Sequence, residues 1–177
     1  MNKVYFVIAL LSLASCQNEN KKSEVKINAD SLTARVRESG ISESALAKKW
    51  LTESIEANFK TPEGLIDSIC TKGYATYKSD AIGVVYDGGM TQEAFEMKWK
   101  DKFDIKYVGI GTGFLISGQD WENIKVVKCE LSPIKLKEGY LFETIIEDSP
   151  SKTTYKRDIS VVPAGDSFLI ANVKEYN

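Results

Sequence analysis

Cysteine is the most reactive side chain in this sequence, at positions 16, 70 and 129, and histidine is absent from all 177 residues. Without imidazole there is no Ser-His or Cys-His nucleophile, no histidine general base and no histidine metal ligand. Cys70 closes Leu65-Ile66-Asp67-Ser68-Ile69-Cys70, whose apolar residues share one helical face, and Cys129 alternates with Val127 and Leu131 on one face of a strand. Both point toward a core, which leaves two readings open: a disulfide between Cys70 and Cys129, or two buried thiols packed as small hydrophobes. Two cysteines are too few for structural zinc, so no metal is expected.

Gly109-Ile110-Gly111-Thr112-Gly113 has the look of a phosphate loop. It fails on spacing, because Phe114 stands where a third glycine belongs and a strand-like run follows in place of a helix. A glycine-rich hairpin or bulge is the better reading. Asp80, Asp87, Asp101 and Asp104 surround a helical segment without the close ladder of a calcium loop. The acid–base pairs that remain are Tyr86 with Asp87 and Tyr74 with Asp80, and neighbours on a strand face opposite ways, which weighs against the first. No catalytic set is assigned and no cofactor is implied. Aromatic residues are the stronger signal. Trp121 follows Gly118-Gln119-Asp120 in a turn, where a stacking or lid role competes with simple cover of a sheet edge. Tyr74, Tyr86 and Tyr107 are the tyrosines expected to join Trp121 around a ligand in a mostly apolar pocket.

Elements that would position these residues follow from periodicity. Leu46, Trp50, Leu51, Ile55 and Phe59 recur at helical spacing after Ser42, with Pro62 beyond. A shorter helix carries the Cys70 face until Gly73, and Tyr74 and Tyr77 continue it or mark a loop. Residues 81–86 read as a short strand, and Thr91 caps a third helix bearing Phe95 and Trp99. After Asp104 the period changes to two, giving strands at 105–110, 113–117, 123–131, 139–147, 154–162 and 167–175. Helices first and strands second make an α+β fold, with helices packed on one face of a curved, mainly antiparallel sheet.

The first residues stand apart. Lys3 precedes an apolar run from Val4 to Leu13, too short for a membrane span of roughly 20 residues, so 1–15 read as a signal peptide. Leu13-Ala14-Ser15-Cys16 resembles the lipobox of bacterial lipoproteins, in which Cys16 becomes the N-terminus and carries palmitate-type acyl chains. By the same resemblance Gln17 favours the outer membrane of the cell envelope, facing either the periplasm or the outside. Residues 16–40 then form a polar tether with a short helix possible after Asp30. Loss of Lys3 takes the net charge from −2 to −3 (22 basic, 25 acidic), which argues against nucleic acid as a partner.

The order helix, short helix, short strand, helix, then strands resembles the NTF2-like (cystatin-like, cone-shaped) superfamily over about residues 42–175, and the tether looks like that of Bacteroidetes-type lipoproteins. The resemblance implies an NTF2-like domain at 41–177 whose concave sheet face holds a small molecule or an envelope protein partner. It also implies two alternatives, a SnoaL-like isomerase or hydrolase using Asp and Tyr, and a structural subunit of an envelope assembly. Catalytic relatives of this shape commonly pair Asp with His, and His is missing here.

Overall fold

The computed structural model describes Leu32 and residues 40–61, 64–118 and 120–176. Helices α1 (Glu43–Asn58), α2 (Ile66–Ile69), α3 (Lys72–Gly83) and α4 (Gln92–Trp99) and a 3-10 turn (Ile105–Tyr107) precede four strands. These are β1 (Ile124–Leu131), β2 (Tyr140–Asp148), β3 (Thr153–Ala164) and β4 (Ser167–Tyr176), an open antiparallel meander in the order β1-β2-β3-β4. The fold is α+β.

Each long helix starts at a hydroxyl cap. The side chains of Ser42, Thr71 and Thr91 accept from the N–H groups of Ala45, Tyr74 and Ala94, each cap worth about 1 kcal/mol. Four-residue spacing puts Ala47, Leu51 and Ile55 of α1 on one fully buried face, and this face lies across all four strands. α2, α3 and the 3-10 turn pack on β4, and Cys70 forms a parallel bridge with Ile170 at its edge. α4 packs on α3 through aromatics, with Tyr77 stacked on Phe103 at 4.2 Å and on Phe95 at 5.5 Å.

Period-two alternation aims Phe142, Ile146, Ile159, Val161, Ile170 and Val173 at the helices. Two bulges adjust it. Val127 is the extra residue on β1, and Ala171 on β4, where Ser160 pairs with Asn172 and Val161 with Ile170. The second bulge lets both Ile170 and Val173 face inward although they lie three apart.

Several expectations are corrected. Residues 81–86 are not a strand: α3 runs through Tyr74, Tyr77 and Ala81 to Gly83 before the chain turns. Residues 105–110 and 113–117 are not strands either, but the 3-10 turn and an irregular loop. Of the two readings left open for Cys70 and Cys129, the structure has the free, buried thiols. Cys70 borders β4 and Cys129 sits on β1, so three strand spacings, about 14 Å, separate their edges, against a Cα reach of about 7 Å for a disulfide. Cys16 and most of the tether lie outside the described residues; Leu32 is helical and buried.

Candidate functional site

A cleft of about 230 Å³ opens where the C-terminal end of α1 meets α3 and the irregular loop 108–118. Phe59, Ile66, Ile82, Phe114 and Ile116 supply its apolar wall, and Trp121 stands at its side, 38% exposed. The Trp121 indole meets Phe59 edge-on at 5.5 Å, a favourable aromatic geometry that holds the ring upright. Asn58 and Thr61 are polar groups in the lining. Asn58 is buried, and its Oδ1 accepts the Leu65 N–H at 2.6 Å, which closes the turn through Gly64 (φ +69°) under the cleft. None of the described lining residues titrates near neutral pH, so the groups of the cleft can enclose and hydrogen-bond a molecule without exchanging protons with it.

Behind the loop wall lies a buried charge cluster. Lys78 of α3 and Glu175 of β4 are both fully buried and form an ion pair, with Nζ and Oε1 2.6 Å apart. Lys78 Nζ also donates to the carbonyls of Val108 at 2.6 Å and Gly109 at 3.4 Å. The Thr112 hydroxyl lies 2.7 Å from the Gly109 carbonyl and 3.2 Å from Glu175 Oε2. Arg157 of β3 donates through Nε to the Leu115 carbonyl at 2.8 Å and through Nη1 to Lys156 and Tyr176 carbonyls. Burial pushes the Lys78 ammonium down and the Glu175 carboxyl up, and their mutual attraction resists both shifts. These bonds hold the chain on both sides of Gly113 and Phe114 and immediately before Ile116, three residues that line the cleft. The cluster therefore fixes the wall against which a ligand would rest.

The glycine motif is explained by the same packing. Gly109 (φ +62°) and Gly111 (φ +73°) adopt the left-handed region, and a Cβ on Gly109 would collide with Thr112 Oγ1 and the Glu175 carboxylate. The motif is a close-approach turn over Lys78, neither a phosphate loop nor a hairpin.

No family model, curated protein or solved structure matches this chain.

Of the four residues expected to surround a ligand, Trp121 alone lines the cleft. Tyr74 is buried in the core among Tyr77, Phe103 and Phe114. Tyr86 is 61% exposed in the turn after α3. Tyr107 packs on Tyr176 at 5.3 Å, with the ammonium groups of Lys106 and Lys174 each 5.2 Å from its ring. The expected pocket on the sheet face is replaced by packed side chains, and no strand residue lines the Trp121 cleft. Of the two acid–base pairs, Tyr74 with Asp80 is not formed: Asp80 Oδ2 accepts from Lys98 at 2.7 Å and from the Trp99 indole at 2.8 Å, so it fastens α4 to α3. The sequence pattern gives Phe59 and Phe114 no part in a ligand site, and it passes over Asn58 and the charged trio Lys78, Arg157 and Glu175. Strand parity held the signal for two of these, since Arg157 alternates with Ile159 and Val161, and Glu175 with Val173, so both belong to the apolar face. Among the described residues no helix is long and apolar enough to cross a membrane, and no group of three or more acidic or cysteine side chains is placed to hold a metal.

Proposed function

We propose that the chain is a lipid-anchored envelope protein whose domain, a variant of the NTF2-like architecture, binds a small, largely apolar molecule carrying a ring, without chemical conversion. The Trp121 cleft carries this reading: an apolar concavity with an aromatic platform at its side and the polar groups Asn58 and Thr61 within it. Its volume of about 230 Å³ is below the usual range for drug-sized sites, about 300–1,000 Å³, and suits a single ring of aromatic or monosaccharide size. The lipobox at 13–16 supports the anchor, and the order of helices before an antiparallel meander supports the family resemblance.

The test is equilibrium dialysis with 4-nitrophenol, a single aromatic ring that is followed by its own absorbance. One probe is expected to bind per chain, and Trp121→Ala should weaken it by about 5- to 10-fold, the equivalent of one aromatic contact of about 1 kcal/mol or slightly more. Equal affinity in the two proteins would sink the assignment of the cleft.

A further inference from the structure

The anchor reading has a geometric consequence at the other end of the molecule. α1 begins at Glu43, whose carboxylate hydrogen-bonds the Tyr140 hydroxyl at the start of β2. Leu32 lies in a pocket with Leu46, Trp50 and the residues Asp166, Ser167 and Phe168 of the β3–β4 turn. The β1–β2 loop and the β3–β4 turn close the same end of an antiparallel meander. The chain from Cys16 therefore joins the domain at this end. Trp121 and Phe59, at the start of β1 and the close of α1, lie at the opposite end.

The β1–β2 loop, residues 132–139, carries its apolar side chains outward. Ile134 is 62% exposed and Leu131 50%, and Leu136 is half-buried beside a shallow groove of about 470 Å³ that all three help to line. Lys135 and Lys137 are exposed and interleave with them, and Glu138, also exposed, is the one acidic residue of the loop. Ser132 N–H donates to the Leu141 carbonyl at 2.8 Å, which holds the loop base as a continuation of the ladder. Aliphatic groups alternating with lysines fit a lipid interface: the apolar side chains leave water while the long lysine stems lie on acyl chains and their ammonium groups reach phosphate. The anchor supplies the bilayer. Leu32 lies sixteen positions after Cys16, so even a fully extended chain keeps the lipid within about 58 Å of Leu32, and tethering at such range makes a weak second contact count.

We propose that the β1–β2 loop is a second membrane contact, in which Ile134 and Leu136 enter the boundary between headgroups and acyl chains and Lys135 and Lys137 meet lipid phosphates. The domain would then stand with the Trp121 cleft turned away from the bilayer. The proposal rests on the lipid-anchor reading, and its test separates the two. The acylated chain is reconstituted in vesicles of phosphatidylethanolamine and phosphatidylglycerol (3:1) with an environment-sensitive nitrobenzoxadiazole label on Ile134→Cys, or on Thr154→Cys near the far end of the sheet as control. The expected result is a blue shift and several-fold stronger quenching by spin-labelled lipid at 134 than at 154. Equal behaviour at both positions, or a shift at 134 that needs native envelope proteins in the vesicles, would overturn the proposal, the latter in favour of a protein partner. The mass of the Cys16 peptide reports the anchor separately. If it carries no acyl chain the anchor reading falls, and the 134 label on an unacylated chain that also carries Cys16→Ser, mixed with the same vesicles, decides the loop: a shift at 134 alone upholds it and no shift overturns it.

Discussion

Lys78 is enclosed by the charge and carbonyls that need it. Its ammonium faces Glu175 at 2.6 Å and donates to Val108, and no part of either side chain reaches water. Removing one member of such a pair leaves a buried charge without compensation, at a cost of about 3–5 kcal/mol, whereas replacing both by uncharged groups of similar volume is often close to neutral. Lys78→Met is therefore expected to lower the urea midpoint sharply, and Lys78→Met with Glu175→Gln to recover most of the loss. A double mutant as unstable as the single one would show that the hydrogen bonds to the loop, and not the unpaired carboxylate, dominate. The same comparison reaches the cleft, because a slack loop 108–116 should weaken probe binding in the single mutant even where it remains folded. By its charge alone a lysine within Tyr77-Lys78-Ser79-Asp80 suits the wet side of a helix. Its place on the face of Tyr74 and Ala81 was the available sign.

Among the elements, the end of β2 holds the start of β1, and one carboxylate ties in the residues just ahead of that strand. Asp148 Oδ1 accepts the N–H groups of Glu122 at 3.3 Å and Asn123 at 3.0 Å, immediately after Trp121, and Ser151 donates to Oδ2 at 3.1 Å. The Asn123 N–H is the largest influence keeping this carboxyl below its ordinary 3.8, aided by Glu122 N–H and Ser151 and opposed by burial. A depressed pKa means that the charged form contributes its full stability above 3.8 and that this is lost as pH falls through the lower folded value. Acidification below 3.8 should therefore red-shift the Trp121 emission (the wild-type spectrum minus that of Trp121→Phe) before far-UV circular dichroism reports unfolding. Asp148→Asn keeps an acceptor but cannot titrate, and should lack this early step; the same step in the mutant would refute the assignment. The strands this contact ties were legible because valine, isoleucine and phenylalanine alternate with polar residues along β1–β4. Ile105, Tyr107 and Val108 carry a similar apolar pattern but are not a strand: Gly109 and Gly111 need left-handed backbone, and the carbonyls of 108 and 109 are taken by Lys78 instead of a ladder partner. Residues 81–86 misled for a different reason, since the last turn of a capped helix and the first residues after it are as apolar as a strand.

At the scale of the molecule, the meander sets which residues can meet. Sheet order separates β1 from β4 by two strands, so Cys129 and the β4-edge residue Cys70 sit at opposite edges although both face the core. Facing inward was readable from periodicity. Which edge each occupied was not, because strand order is a property of long-range pairing that local spacing does not encode. In the same way Trp121 was readable as a turn tryptophan, but the cleft needed α1, α3 and a loop brought together from distant parts of the chain. Burial, with Asp67 adding to it, pushes the Cys70 thiol up to about 12, and burial raises Cys129 too. Thiolate, the reactive form, is thus suppressed in the folded state at both positions. At pH 8 an aromatic disulfide reagent is expected to react with neither Cys70 nor Cys129 in the native domain. Both should become reactive together across the urea transition, at the midpoint found by circular dichroism, since one core connects the two edges. The intact mass should not change on reduction under non-reducing purification. A mass lower by two hydrogens would instead require β1 and the β4 edge to approach by several ångströms, which the packed row Thr144, Arg157 between Cys129 and Glu175 forbids.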